Sequence, residues 1–420
     1  RVVCLEQLLA LGAIFYAAHS RKQWPGVASV VVAVIHAIKG KWIASAFLDD
    51  SCVGVIGSGL DASLPDIRPM QLVALRGQYS QGQDTLGRGF ELTDEERNEI
   101  LCSDPSSKEV IFPYYNGQDI NNMAVLTPYR WVIYFRDWPQ ERACKFKAAF
   151  QRVETLVKPY RDGLTGQIHQ TCFWKFWDIR PRLMAQIDRH THLLALGVVS
   201  KYVSFRRVPT SNIYNKKAKL LFLTDWWHFG VLQSTFHQDW AAWRSGTLGA
   251  TTLNYSTSEA LETWPMPDIA TCHEKKQVVS WAGERFHETR EQVMSTYCQG
   301  LTDTYNRFHD PKESSADIQK LRDLHVEMDQ AVAAAYGWID LKLEHGFHDT
   351  KQGVRFTISE SARREVLQRL LKLNHERYAE EVKQGLHGKK GAAKKAAPNK
   401  KAANTSAKQE ATMFDGEEDE

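Results

Sequence analysis

The sequence predicts a mixed α+β protein built from several units, and three observations carry that prediction. Two apolar, β-branched runs follow a leucine-rich helical stretch near the start. A lysine- and arginine-rich run with strand-like alternation leads into an aromatic helix in the middle, and amphipathic segments with helical spacing fill the last third. The 420 residues allow two or three domains, and 43% apolar with 25% charged residues is the composition of an ordinary globular chain.

Composition also excludes several function classes. Lys and Arg total 53 against 50 Asp and Glu, so any nucleic-acid binding has to come from a local patch. The 7 cysteines contain no C-x-x-C, which leaves zinc ribbons and redox motifs unsupported and makes reduced, cytoplasmic thiols the default. The most apolar run, Val27 to Ile38, is too short to span a bilayer and contains His36. No signal peptide is visible, and no membrane partner is expected.

Residues 1–42 read as helix, strand, turn, strand. Val3, Leu5, Leu8, Leu9 and Leu11 make the opening helix apolar, AIFYAAHS is a strand, Trp24-Pro25-Gly26 marks a turn, and SVVVAVIHAI is a continuous apolar strand of the kind buried on both faces. This pattern suits the closing edge of an α/β sheet. The chain opens in mid-helix at Arg1 and reaches its first methionine only at Met70, so a missing N-terminal part is expected. Residues 43–125 are a less regular connector. The glycines of VGVIGSGLDAS tempt a nucleotide-loop reading, but Pro65 and Pro69 break the helix such a loop needs, so a flexible connector is expected. From Thr93, TDEERNEIL has a cap residue and acids in its first turn, the mark of a helix start.

Residues 126–267 form the sharpest unit. RWVIYF is a strand. ERACKFKAAFQRVETLVKP is an amphipathic helix with Ala143, Phe146, Phe150, Val153 and Val157 on one side, stopped by Pro159. FWKFWDIRPRLMAQI sets aromatics around Arg180 and Arg182, which we read as core and rim in preference to base stacking. Between Val198 and Thr224 stand Lys201, Arg206, Arg207, Lys216, Lys217 and Lys219, with no acid among them, and such a one-signed surface attracts a polyanion. Asp225 then sits where an N-cap belongs, and Phe229, Leu232, Phe236, Trp240 and Trp243 make the apolar stripe of one helix.

Residues 268–387 predict a helical region. One face of the first helix carries Val278, Ala282, Phe286, Val293 and Tyr297; the second carries Ile318, Leu321, Met328 and Val332; the third carries Val366, Leu367, Leu370, Leu371 and Tyr378. The link NRFHDP and a hairpin-like insert, HGFHDTKQGVRFTIS, join them. His309, His325, His345 and His348 lack metal-ligand spacing and read as core or surface residues. Residues 388–420, Lys/Ala-rich and then acidic, are expected to be disordered. Neither a G-x-S-x-G, a Walker loop nor a paired metal-ligand motif occurs, so no catalytic or metal-binding residue is nominated.

Many ordered segments resemble the C-terminal half of type IIG (MmeI-like) restriction-modification enzymes, a family of adenine-specific DNA methyltransferases with related target-recognition domains. They include LEQLLALGAIFYAAHSRKQWPGVASVVVAVIHAIKG, VIFPYYNGQDINN, PYRWVIYFRDWP, VVSKYVSFRRVP, VLQSTFHQDWAAWRSGTL, LNYSTSEALETWPMP, GLTDTYNRFHDP and LNHERYAEEV, and they span nearly all of residues 1–387. The resemblance implies that residues 1–42 are the terminal strands of a Rossmann-like methyltransferase sheet, that 126–267 are a mixed α/β target-recognition domain, and that double-stranded DNA is the partner. It implies S-adenosylmethionine as cofactor of a full-length parent, with its loop and its Asn-Pro-Pro-aromatic motif ahead of Arg1. No Asn-Pro-Pro occurs in this sequence, so the fragment alone is expected to bind no cofactor and to transfer no methyl group.

In such an enzyme the target base leaves the duplex at a cost of about a few kcal/mol, and a separate module holds the flanking DNA. On that reading Lys201, Arg206, Lys216, Lys217 and Lys219 are phosphate partners. Arg206 and Arg207 point to opposite sides of a strand, so only one of them faces DNA. Gln233, His237 and Arg244, on a common flank of the following helix, are candidate base readers. The alternatives are a stand-alone DNA-binding specificity subunit that recruits a catalytic partner, and a helical scaffold with no nucleic-acid partner.

Overall fold

The leucine spacing at the start forms helix α1 (Val2–Ala10), followed by antiparallel strands β1 (Ala13–Gln23) and β2 (Val31–Lys39). The computed structural model describes residues 2–24, 31–60, 68–165, 172–248, 252–269, 272–350 and 352–387. The Pro25-Gly26 turn, Pro65 and the tail 388–420 therefore lie outside the described residues. Short strands β3 (Ala46–Leu48) and β4 (Ser51–Val53) complete a sheet of order β2-β1-β3-β4, with β3 parallel to β1. Two expectations change here. As an edge strand β2 has partly exposed to exposed residues instead of two buried faces. The supposed connector puts Ile56 and Leu60 into the local core with Leu5, Phe15, Ala18 and Ala46.

The next unit holds two sheets. Strand β5 (Tyr79–Gln81) belongs to one, and β6 (Glu91–Leu92), β7 (Ile111–Tyr115) and β8 (Trp131–Ile133) belong to the other. Helix α2 (Asp94–Ser103) starts at Thr93 through a capping box: the Thr93 hydroxyl accepts from Glu96 N at 3.3 Å and the Glu96 carboxylate accepts from Thr93 N at 2.9 Å. After α3 (Gly117–Asn122), the long amphipathic segment becomes three short helices, α4 (Gln140–Ala143), α5 (Lys147–Leu156) and α6 (Lys158–Asp162). Its predicted apolar face is buried as a unit: Ala143, Phe146, Phe150, Val153 and Val157 pack with Phe90, Phe173 and Phe176. Pro159 does not stop the segment. It sits in the first turn of α6, where a missing N–H costs nothing.

Helix α7 (Pro181–Ile187) leads to β9 (His192–Gly197), β10 (Val199–Ser200), β11 (Arg206–Pro209), β12 (Ile213–Tyr214) and β13 (Ala218–Leu221). The sheet orders are β11-β9-β13-β5 and β12-β7-β8-β6. The aromatic helix is in fact two, α8 (Trp226–Gln233) and α9 (Thr235–Arg244), broken at Ser234, whose ψ is 155. The Ser234 hydroxyl turns back to Val231 O at 2.7 Å, and the Asp329 carboxylate caps Thr235 N at 2.8 Å instead. Asp225 makes no side-chain cap; its carboxylate pairs with Lys276 at 3.1 Å. Strands β14 (Gly246–Leu248) and β15 (Thr252–Asn254) add to β10.

Helices α10 (His273–Tyr297), α11 (Leu301–Phe308), α12 (Ala316–Ala335) and α13 (Glu360–Lys383) form the last region, with hairpin β16 (Gly346–Thr350) and β17 (Gly353–Thr357) between α12 and α13. Part of the supposed link NRFHDP is the end of α11. On α10 the buried face is Val279, Ala282, Phe286, Val293 and Met294, while Val278 and Tyr297 are exposed. One hydrophobic core joins Leu194, Leu196 and Leu221 of the sheet, Phe229, Phe236 and Trp240 of α8 and α9, and Phe286, Met328 and Leu367 of the helical region.

The crossing of α8 over α10 depends on two glycines. A Cβ on Gly283 would lie 2.9 Å from Trp226 O and 3.0 Å from Gly230 Cα, and one on Gly230 would lie 2.9 Å from Val279 O. Gly283→Val should therefore push the helices apart and destabilise the chain by about 2–3 kcal/mol. A thermal or urea melt checks this, and an unchanged midpoint would mean the crossing tolerates a side chain.

Candidate nucleic-acid interface

The sheet β11-β9-β13-β5 is covered on both faces. Leu194, Leu196 and Leu221 enter the large core, whereas Leu193, Ala195, Ala218 and Leu220 pack with Tyr115, Ile120 and Tyr214 on the other side. Only turns and edges of such a sheet can meet a ligand, and this sorts the basic residues.

The β12–β13 turn carries Lys216 and Lys217, both exposed. Lys216 Nζ pairs with Asp84 at 2.8 Å, while Lys217 has no ion pair among the described residues. Lys219, half-buried on β13, stands opposite Gln81 of edge strand β5. Burial, with the neighbouring Arg180, lowers its ammonium pKa. Arg180 pairs with Asp178 at 3.0 Å, and Asp178 bridges in turn to the backbone of Asp84. Arg182 and Arg76 flank the Glu262 carboxylate. The structure thus brings Lys216, Lys217, Lys219 and Arg180 to one rim, with Lys217 and Lys219 free of ion pairs among the described residues.

Arg180 was legible only as an arginine among aromatics. Its role as a rim cation depends on a positive φ of 51 ahead of Pro181, which starts α7 beside β5. Lys201 stands apart from this group, donating to Asn306 Oδ1 at 2.6 Å. Its chain is nevertheless tied to the turn, because Val198 N donates to Lys217 O at 2.9 Å.

Other nominated residues are internal, which corrects the sequence reading. Arg206 is buried; its guanidinium donates to Met123 O at 2.7 Å and Ala124 O at 2.6 Å and pairs with Glu291 at 2.8 Å. The cleft beside it is lined by Glu288 and Glu291, which would repel phosphate. Arg207 does face the opposite way, stacked 4.2 Å over the Trp226 ring. Gln233 is fully buried: its amide oxygen accepts from Phe205 N at 2.9 Å and Arg290 at 3.3 Å, and its amide nitrogen donates to Tyr305 at 3.1 Å. His237 is also fully buried, 2.9 Å from the Tyr255 hydroxyl. Arg244 pairs with Glu259 at 2.6 Å. The break at Ser234 separates Gln233 from the other two, so no common reading flank exists, and base contact by Gln233 or His237 would require opening the core.

Arg290 organises this interior. From α10 it donates to Phe205 O at 2.8 Å and Ser204 Oγ at 3.0 Å as well as to Gln233, so the loop before β11 is held by the helical region. Among the described residues no group of three or more His, Cys, Asp or Glu side chains could hold a metal, and no helix is long and apolar enough to cross a membrane.

Residues 77–268 match a protein-family model described as MmeI, target recognition domain. The fold is similar to that of the chain in a solved structure of the Type IIL restriction-modification enzyme MmeI in complex with DNA. The TM-score is 0.65 at 19% identity, over 90% of this chain and 48% of that one. The present chain thus spans about half the length of that protein, and the likeness is one of fold. No curated protein matches the chain.

Two outcomes follow from the buried groups. Arg290→Met should cost about 2–4 kcal/mol in a urea melt, because Phe205 O and Gln233 lose a charged donor in a dry site; a neutral result would show that the loop is not held from α10. Burial pushes the His237 imidazole down to about 3 and, chiefly through burial, His228 to about 4. The unfolded chain therefore binds protons that the folded one does not, from about pH 6.5 downward. The melting temperature should fall between pH 7 and pH 5, and His237→Gln should flatten that fall; an identical pH profile in the variant would contradict it.

Proposed function

We propose that residues 77–268 bind duplex DNA and choose its sequence on behalf of a site-specific DNA-modifying enzyme of the restriction-modification type. The observation that carries this reading is coincidence: the segment matching a target recognition domain is also the segment that holds the doubly covered sheet and its basic rim. A sheet packed on both faces is a rigid mount. The β12–β13 turn and the β5 edge project from it, and Lys216, Lys217, Lys219 and Arg180 supply phosphate contacts that set register. Sequence choice belongs to loops at the same rim and not to the interior of α8 and α9.

We further propose that the modification is methylation of adenine N6 with S-adenosylmethionine, carried out by a catalytic region other than these residues. The residues described here do not fit that cofactor. After β4 the glycine-containing stretch turns Ile56 and Leu60 into the local core, and the sequence contains no Asn-Pro-Pro. The DNA that this chain holds would be presented to a neighbouring active centre.

Changing Lys216 and Lys217 together to alanine should weaken binding to all duplexes alike and reduce the magnitude of the log K against log salt slope by roughly two. Fluorescence anisotropy with labelled duplexes across a salt series reads both quantities, and an unchanged slope removes the turn from the interface. Incubated with duplex DNA and labelled S-adenosylmethionine, the chain alone should incorporate no methyl group; robust incorporation would contradict the division of labour.

A further inference from the structure

Hairpin β16–β17 lies outside residues 77–268, and the proposed function gives it no task. Its seating is specific. Phe356 packs edge-on against Phe308 at 5.5 Å and Phe347 at 5.4 Å, and its amide donates to His309 Nδ1 at 3.2 Å. This sets the Arg355 guanidinium 5.2 Å over the Tyr202 ring, and Lys201 Nζ lies 5.3 Å from the same ring. Two cations from distant parts of the chain therefore lie against one aromatic side chain.

Neither cation has an ion pair among the described residues. Arg355 Nε and one terminal nitrogen, Nη2, are shielded from water without any partner, and the other terminal nitrogen, Nη1, donates to Val354 O at 3.3 Å. Lys201 donates to the neutral Asn306 Oδ1, which the Tyr202 hydroxyl also reaches at 2.9 Å. Burial and the facing Arg355 lower the Lys201 pKa, and His309 behind them is held neutral by burial and these same cations. Two cations against one ring, with no carboxylate paired to either among the described residues, repel each other unless an anion joins them.

We propose that Lys201 and Arg355 seat one phosphate group of a DNA backbone, so that the hairpin arm grips the duplex beside the target-reading sheet. The inference rests on the proposed function. Position favours a duplex phosphate over a free one. Val198 is bonded to Lys217 O, and the three residues from Val198 to Lys201 extend at most about 10 Å. The seat therefore continues the Lys216–Lys217 rim at a spacing that one duplex can bridge. The arm supplies charge and no base contact, so it strengthens binding without altering sequence choice.

The test uses the whole chain, labelled duplexes and a salt series. Arg355→Gln should weaken every duplex about 3- to 10-fold and lower the salt slope by about one. Arg355→Glu should pair with Lys201, keep or raise the melting temperature, and lower the slope by about two, an outcome that a purely packing role for Arg355 would not produce. If both Arg355 variants bind duplexes as the parent does while the Lys216/Lys217 double variant binds less, the seat is wrong and the DNA reading stands. If none of the three alters binding, the DNA reading itself fails. Inorganic phosphate gives the last arm: stabilisation of the parent but not of Arg355→Gln at millimolar phosphate, with duplex affinity equal in both, would assign the seat to free phosphate and overturn the proposal.

Discussion

Where α8 crosses α10, Gly230 and Gly283 let two backbones touch, and the core shared by the sheet and the helical region is built on that contact. Side chains at either site would hold the helices apart and break the core that continues from Leu196 on the sheet to Leu367 on α13. Arg290, seven residues beyond Gly283 on the same helix, then reaches the Phe205 carbonyl and Gln233. Glu291 beside it holds Arg206. One helix thus fixes the sheet through backbone contact, a buried arginine and an ion pair, and these act within the same few turns.

That arrangement explains why the basic run divides as it does. A guanidinium withdrawn from water needs full satisfaction, and Arg206 finds it in two carbonyls and a carboxylate. Its charge is used to join α10 to the chain after α3. Among the described residues the lysines of the β12–β13 turn have no such partners, apart from the Lys216–Asp84 pair, and their side chains are exposed. Charge density in the sequence therefore marks two different things, a structural clamp and an exposed surface, separated by only about ten residues.

What the sequence made legible was local. The cap residue Thr93, the face Ala143–Phe146–Phe150–Val153–Val157 and the hairpin-like insert all follow from neighbours within a few residues, and the structure shows each. The mixed α+β class, and the resemblance that the match of residues 77–268 to a target recognition domain model supports, followed from ordered segments along the chain. What failed was set from far away. The helix break at Ser234 is closed by Asp329, 94 residues distant, and the burial of Gln233 depends on Arg290 and Tyr305. Periodicity carries no record of such partners, so polar residues on a helix flank looked like readers when they were core. Arg180, read as core and rim, is half-buried and paired with Asp178 at 3.0 Å, and its left-handed backbone before Pro181 is not something a run of aromatics announces.

The central claim is that a rigid, doubly covered sheet presents its β12–β13 turn and β5 edge to a duplex. Hydrogen exchange on the chain, free and saturated with a duplex at low salt, tests it most directly. The account predicts added protection at 79–84, 178–183 and 214–219, with α8 and α9 slow to exchange in both states. Protection confined to other surfaces, with those segments unchanged, would contradict it.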